Sequence, residues 1–296
     1  MSHDHGSQPL DAAFRWAVIL NTAYVVLEAV AGFVSGSLAL LADAAHNLTD
    51  VGGLLIAWGA AVLGQRRGSA RFTYGLGRGT ILAALANAIA ILGGVGAVVW
   101  EAVGRLGEPF DVAGGTVLAV ATLGIAVNAG TALLFRKQRA HDLNASGAFL
   151  HMLADAAVSL AVVVAAAVIL VTGWAWVDPL AAIAVSLVIT ITAYDLFRRA
   201  LRLSLDGVPE DIDRAAVRAW LLARPGVRDV HDLHVWALST TRTALTAHLV
   251  MPDGHPGDAF LDQVTAELGE HFAIAHATLQ IELGNGPACR LDQAAA

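Results

Sequence analysis

Two histidines lie within the apolar stretches of this 296-residue chain, and an aspartate follows each of them four residues later. The pairs are His46 with Asp50 and His151 with Asp155. Residues i and i+4 of an α-helix lie on one face about one turn apart, so each segment presents an imidazole beside a carboxylate. Two helices facing each other through these pairs would supply two nitrogen and two oxygen ligands. That set suits a tetrahedral divalent cation, and zinc fits it best, although cobalt would also fit.

The composition indicates that these residues belong to a membrane protein. The chain is 56% hydrophobic and 15% charged, with a mean hydropathy of +0.63, whereas soluble domains average about 45–50% apolar and about 25% charged residues. An ordinary water-soluble enzyme is therefore disfavoured. Six apolar stretches are long enough to cross a bilayer, which takes about 20 residues. They cover residues 14–34, 39–63, 80–103, 113–135, 147–172 and 177–197.

Ionisable residues inside such spans are costly and usually functional. In this sequence they are Glu28, Asp43, His46, Asp50, Glu101, His151 and Asp155. We interpret the two His–Asp pairs as a transport site; the alternative is that each pair is a neutral, hydrogen-bonded contact that packs helices together. Asp43 precedes His46 by three residues. One interpretation is that it helps metal to enter the site or relays protons; the other is that it is a carboxylate that packs helices together.

Basic residues predict the orientation in the membrane. Eleven of them flank one side of the six predicted spans, and Arg105 alone lies on the other side. Because cytoplasmic loops carry the excess of Lys and Arg, we expect both termini to be cytoplasmic. The expected location is the plasma (inner) membrane of a prokaryote.

Residues 206–296 differ in character from the rest of the chain. Residues 1–205 carry 12 acidic and 12 basic residues, whereas residues 206–296 carry 13 acidic and 6 basic, so the net charge of −7 lies in the second part. This balance argues against nucleic-acid binding. Hydrophobic patterns predict the order α-β-β-α-β, which is typical of a ferredoxin-like α+β domain. We therefore divide the chain into a cytoplasmic tail (1–13), a six-helix transport domain (14–205) and a cytoplasmic metal-binding and dimerisation domain (206–296).

Six of the eleven histidines lie in this last domain. Strand alternation predicts that one face of its sheet gathers His234, His248, His276 and Glu282, while His231 lies on the opposite face. Such a face could form a regulatory metal site or a dimer surface, or be a simple solvated surface.

Four segments carry a resemblance to a known family. The run from Ser37 to Asp50, SLALLADAAHNLTD, resembles the second span of the cation diffusion facilitators, and His151 to Asp155 resembles their fifth span. Residues 71–78, RFTYGLGR, resemble the loop before their third span. Residues 230–236, VHDLHVW, resemble the first strand of their cytoplasmic domain. HxxxD in both spans is similar to the zinc, cadmium and cobalt exporters of the family.

The resemblance implies a homodimeric metal/proton antiporter that moves cations out of the cytoplasm. It also implies a metal site in the cytoplasmic domain at His231, His248 and Glu282, with His234 near. Since alternation puts His231 on the other face, that site requires a strand irregularity or a dimer partner. Many zinc members carry a histidine-rich loop between the fourth and fifth spans, but here that loop has only His141.

The chain is therefore predicted to export zinc in exchange for protons by alternating access, with cadmium or cobalt as further cargo. Zinc is the substrate and, in the cytoplasmic domain, a regulatory ion; no resident cofactor is expected. Two alternatives are a membrane-embedded metalloenzyme and a membrane metal sensor. A metalloenzyme needs a general base such as the glutamate of an HExxH motif, and the sequence has no such motif. A sensor needs a segment that transmits the signal, such as a kinase, cyclase or DNA-binding segment, and the sequence shows none.

Overall fold

A computed structural model of the protein describes residues 8–48, 51–52, 68–107, 111–135 and 143–285. The chain divides into two compact units. The first combines Met1–Leu55 with Asn87–Asp195, and the second combines Ile56–Ala86 with Leu196–Ala296.

Helices build the first unit. In chain order they are α1 (Gln8–Ser35), α2 (38–48), α3 (Arg78–Arg105), α4 (Gly114–Phe135), α5 (Leu143–Thr172) and α6 (Val177–Ser204). Residues 78–86 of α3 and 196–204 of α6 are counted with the second unit. Within the described residues, four segments are long and apolar enough to cross a membrane: Arg78–Arg105, Gly114–Leu134, Met152–Thr172 and Val177–Ser204. They match the last four predicted spans. The first predicted span lies in α1, where Ile19–Ser35 forms a shorter apolar segment, and the second begins in α2 and continues outside the described residues.

Small residues let these helices approach closely. A Cβ added at Gly32 of α1 would lie 3.0 Å from the side chain of Leu41 and 3.1 Å from its backbone nitrogen. A larger residue there would push α1 away from α2. The core of this unit is built from alanine, valine, leucine and isoleucine, including Leu40, Ala121, Val162 and Ile189. Such close backbone packing is a main source of helix association in lipid, where the hydrophobic effect gives little.

The N-terminus of α2 is held by a carboxylate from another helix. After α1, the chain turns at Gly36 with a φ of +70°, a conformation that favours glycine. Asp178 of α6 then accepts hydrogen bonds from the Ser37 hydroxyl and from the backbone N–H of Leu38, at 2.7 Å. The hydroxyl of Ser37 also accepts from the N–H of Leu40 at 3.1 Å. Free N–H groups at a helix start need such partners, and Asp178 thus fixes where α2 begins.

The second unit contains an α-β-β-α-β domain in the predicted order. Its elements are α7 (Arg214–Leu222), β1 (Asp229–Ala237), β2 (Thr243–Val250), α8 (Asp258–Phe272) and β3 (Ile274–Glu282). The sheet has the order β1-β2-β3, with β1 antiparallel and β3 parallel to β2. Apolar residues of both helices, such as Val217 and Leu268, pack on Leu245 and Leu249 of the central strand. The predicted fold class is confirmed.

Residues 68–86 contribute to this same unit. The Thr80 hydroxyl accepts a hydrogen bond from the N–H of Thr240 at 3.1 Å, and Arg78 forms an ion pair with Asp206. A Cβ at Gly77 would lie 2.8 Å from the carbonyl oxygen of Leu238. The segment between the second and third predicted spans is therefore docked on the α-β-β-α-β domain.

We expect Asp178→Ala to lower the free energy of unfolding by about 1–2 kcal/mol, because the first N–H groups of α2 lose their charged acceptor. Thermal unfolding of the purified protein in detergent measures the effect. Asp111→Ala, which removes an exposed carboxylate, is the matched control. Equal melting temperatures for the two variants would show that the Asp178 cap contributes no stability.

Candidate metal centres

One residue from each His–Asp pair meets inside the first unit. The Nε2 atom of His46 on α2 lies 3.3 Å from Oδ1 of Asp155 on α5, and their side chains are 12% and 2% exposed. A metal ion needs its ligands on different elements to converge in this way. Burial leaves the two groups little access to water, so each depends on the other or on a cation.

The other two predicted ligands are Asp50 and His151. Asp50 lies outside the described residues, and so does the side chain of His151, although its backbone belongs to α5. Their places in the chain are nevertheless defined: Asp50 follows His46 by four residues, and His151 precedes Asp155 by four residues.

A buried polar cluster lies next to this pair. We name it the α1–α2 carboxyl cluster, and it consists of Tyr24, Glu28, Asp43, Asn47 and Ser159. The Tyr24 hydroxyl and the Asn47 amide donate to the two oxygens of Glu28, at 2.7 and 3.0 Å. The Ser159 hydroxyl donates to Oδ2 of Asp43 at 3.0 Å. Glu28 and Asp43 are among the ionisable residues expected in the spans, whereas their three neutral partners were not predicted.

Two spacings could have revealed these partners. Tyr24 precedes Glu28 by four residues, and Ser159 follows Asp155 by four residues, so each lies one helical turn from an ionisable group. Gly124 of α4 makes room for Tyr24, because a Cβ there would lie 2.2 Å from the phenol oxygen. The cluster therefore depends on a glycine at position 124 of α4, because any side chain there would collide with Tyr24.

A β-bulge shapes the second centre, on the sheet of the second unit. His231 pairs with His248 and His234 pairs with Thr246, so β1 has one residue more than β2 between these pairs. Asp232, inside the bulge, has a φ of +47°, and a left-handed residue is common in such bulges. The extra residue reverses the alternation. His231 and His234 consequently both lie on the face that carries His248, whereas regular alternation put His231 on the opposite face.

The three residues implied by the family resemblance meet at this bulge. Nε2 of His231 lies 3.2 Å from one oxygen of Glu282, and Nδ1 of His248 lies 3.0 Å from the other. One ligand atom from each of the three residues lies within 4.8 Å of the others. Zinc binds nitrogen and oxygen at about 2.0–2.2 Å, so small side-chain shifts would bring all three into a coordination shell.

Asp232 joins the neighbouring histidines. Its two oxygens lie 3.0 Å from Nε2 of His234 and 3.4 Å from Nε2 of His248. The side chain of His234 is 66% exposed, and His234 does not belong to the three-residue group. His276 lies near the start of β3, and its ring contacts that of Tyr74 edge-on, with the ring centroids 5.3 Å apart. Strand alternation does not predict this role of Asp232, because a bulge residue follows no alternation.

Both parts of the chain resemble known proteins. Residues 15–203 match the family described as the cation efflux transmembrane domain, and residues 209–283 match the cation efflux protein cytoplasmic domain. The zinc transporter ZitB of Escherichia coli is 38% identical over 301 residues, which cover 99% of this chain and 96% of that protein.

Two further similarities concern a transporter and a solved domain. A cadmium, cobalt and zinc/H(+)-K(+) antiporter of Bacillus subtilis is 32% identical over 287 residues, which cover 95% of this chain and 92% of that protein. The solved metal-bound C-terminal domain of the CzcD transporter from Cupriavidus metallidurans is 40% identical and covers 24% of this chain and all of that domain, with a TM-score of 0.22.

We expect His248→Ala to reduce the number of tightly bound zinc ions per chain by one, because the His231–Glu282 pair would keep too few ligands. Equilibrium dialysis of the full-length protein in detergent counts the bound metal. His255→Ala removes an exposed histidine outside the group and should leave the count unchanged. The same count for His248→Ala as for the wild type would exclude this metal centre.

Proposed function

The chain belongs to the cation efflux family, and from this membership we propose that it exports zinc from the cytoplasm in exchange for protons. Like its relatives, it is a multi-pass membrane transporter and not an enzyme, and it acts as a homodimer. The names of the relatives in Escherichia coli and Bacillus subtilis favour zinc as the main cargo, with cadmium and cobalt as further cargo.

The contact between His46 and Asp155 is the observation that carries the proposed transport site. It joins the two HxxxD segments through one nitrogen and one oxygen at 3.3 Å. Asp50 and His151 are each four residues away from these residues in the sequence, a spacing that keeps side chains on one face of a regular helix. The four side chains together would complete a tetrahedral shell of two nitrogens and two oxygens for zinc, without a water ligand.

The same ligands explain exchange with protons. Imidazole and carboxylate must be deprotonated to bind metal, so metal binding releases protons and affinity falls as the pH falls. A site open to the cytoplasm would load zinc at near-neutral pH. The same site open to a more acidic exterior would take up protons and release the metal. Binding at the centre of the membrane domain, alternately exposed to each side, is the usual arrangement in secondary transporters.

The orientation and domain limits belong to the same proposal. We place both termini and the domain of residues 206–296 in the cytoplasm of a prokaryotic cell, since the basic residues favour that side. The transport domain extends over residues 14–205. In the cytoplasmic domain, His231, His248 and Glu282 bind a regulatory zinc ion, and their mutual contacts of 3.0–3.2 Å support this assignment. His234, the fourth predicted ligand, lies beside this centre and contacts Asp232 at 3.0 Å.

We expect Asp155→Ala and His46→Ala to abolish zinc uptake into proteoliposomes, because each removes one of the two ligands that meet between α2 and α5. A zinc-sensitive dye inside the vesicles measures uptake. Glu101→Gln is the matched control, since it neutralises an exposed carboxylate that pairs with Arg105 on α3. Wild-type uptake by both alanine variants would disprove the assignment of the site.

We also expect an acidic vesicle lumen to drive zinc uptake by the wild-type protein, with protons leaving as zinc enters. A pH-sensitive dye in the lumen follows the protons, and an ionophore that collapses the pH gradient should stop net uptake. Uptake that is indifferent to the gradient would rule out antiport and leave a passive channel. Zinc binding without any uptake would favour the metal-sensor alternative.

A further inference from the structure

The α1–α2 carboxyl cluster is fully enclosed by the helices of the first unit. None of Tyr24, Glu28, Asp43, Asn47 and Ser159 is more than 5% exposed. Two of its members are carboxyl groups, and neither belongs to the HxxxD pairs. Buried ionisable groups in a membrane domain are rare and usually take part in ion or proton movement.

Hydrogen-bond donors are distributed unequally between the two carboxyl groups. Glu28 receives one donor on each oxygen, from Tyr24 and from Asn47. Asp43 receives the Ser159 hydroxyl on Oδ2, while its buried Oδ1 atom has no donor among the residues that the structure describes. The two carboxyl groups have neighbouring donors: a Cβ placed at Gly124 would lie 2.2 Å from the Tyr24 hydroxyl, which donates to Glu28, and 3.1 Å from the Ser159 hydroxyl, which donates to Asp43. One buried oxygen of the pair, Oδ1 of Asp43, therefore lacks a hydrogen.

Other titratable groups near the pair do not remove this deficit. Tyr24 already donates its proton to Glu28. Among the side chains that the structure describes, the titratable groups of α2 and α5 near the pair are His46 and Asp155, which contact each other. Helix α4 meets the cluster through its backbone at Val120 and Gly124, which carries no titratable group. Two ionised carboxylates side by side in this environment would repel each other and lack water. One proton bound by the pair would remove the repulsion between two negative charges and would supply the missing hydrogen-bond donor.

We propose that Glu28 and Asp43 share one proton, and that this pair is a counter-ion site separate from the zinc ligands. A proton fits better than a metal ion, because the hydrogens of Tyr24 and Asn47 already point at both oxygens of Glu28 and would repel a metal cation. The proposal rests on zinc/proton exchange at the HxxxD pairs. It adds one proton to those that the metal ligands themselves release.

The position of the pair explains how it would couple to zinc. Asp43 precedes His46 by three residues, and Ser159, its donor, follows Asp155 by four residues. A divalent cation at the HxxxD pairs would stabilise a second negative charge about one helical turn away. The shared O–H bond then breaks, the proton leaves to water, and two carboxylates remain. Once zinc leaves on the acidic side, a proton binds to the pair again. The pair then carries one negative charge instead of two.

Simultaneous recording of zinc and proton fluxes in proteoliposomes tests this proposal. Glu28→Gln and Asp43→Asn keep the side-chain shape but cannot share the proton. We expect both variants to move one proton fewer per zinc ion than the wild type, while zinc–zinc exchange without a pH gradient continues at the wild-type rate. Glu101→Gln should retain the wild-type ratio, because its carboxyl group is exposed and paired with Arg105.

Two results of this experiment would overturn the proposal. An unchanged proton-to-zinc ratio in both variants would show that the pair carries no exchanged proton. Loss of zinc–zinc exchange together with the proton flux, in variants that elute as folded protein, would show that the cluster supports the metal site itself. If the wild type moves no protons with zinc, the proposed antiport fails instead, and infrared spectroscopy then tests the pair alone.

Infrared difference spectra test the shared proton without depending on transport. Addition of zinc to the wild-type protein should remove a carbonyl band of a protonated carboxylic acid. Tyr24→Phe, which deletes one donor to Glu28 with little change in shape, should shift this band but keep it. No zinc-dependent loss of such a band in the wild type would overturn the proposal, even if Glu28→Gln and Asp43→Asn do not fold.

Discussion

The cost of holding carboxylates inside apolar helices is the constraint on which this structure depends. Three described buried carboxyl groups of the first unit each meet a different compensating partner. Asp178 accepts hydrogen bonds from N–H groups at the start of α2, and Asp155 contacts the imidazole of His46. Glu28 accepts hydrogen bonds from two neutral side chains, those of Tyr24 and Asn47. Leaving any of these groups uncompensated would cost several kcal/mol in lipid. The helix packing is arranged around those partners, down to the space that Gly124 leaves for Tyr24.

Both candidate metal centres draw their ligands from separate elements. In the first unit, α2 and α5 each provide one member of the His46–Asp155 contact. In the second, His231, His248 and Glu282 come from β1, β2 and β3. Neither centre can form in an isolated segment, so metal binding at each is coupled to the arrangement of the elements. A transporter needs this coupling at its transport site, since the site must change its exposure as it binds and releases cargo.

The two centres differ in how far the sequence could predict them. Helical spacing identified His46 and Asp155, because i and i+4 keep their relation in any regular helix. Strand alternation misassigned His231, because the register of β1 shifts by one residue at Asp232. A one-residue slip moves every later side chain to the other face. The resemblance to a family named the three residues that lie together in the structure, but only the bulge explains how they meet.

The sequence alone determined the membrane class, the order of the elements in both domains, and the residue types that can bind zinc. These properties follow from composition and local periodicity, which need no knowledge of distant contacts. Only the tertiary structure decided which side chains meet: Ser159 with Asp43, Asp178 with the start of α2, and Glu282 with two histidines. These contacts join residues more than 30 positions apart, and their geometry depends on helix crossing and strand register. Local patterns contain no information about either.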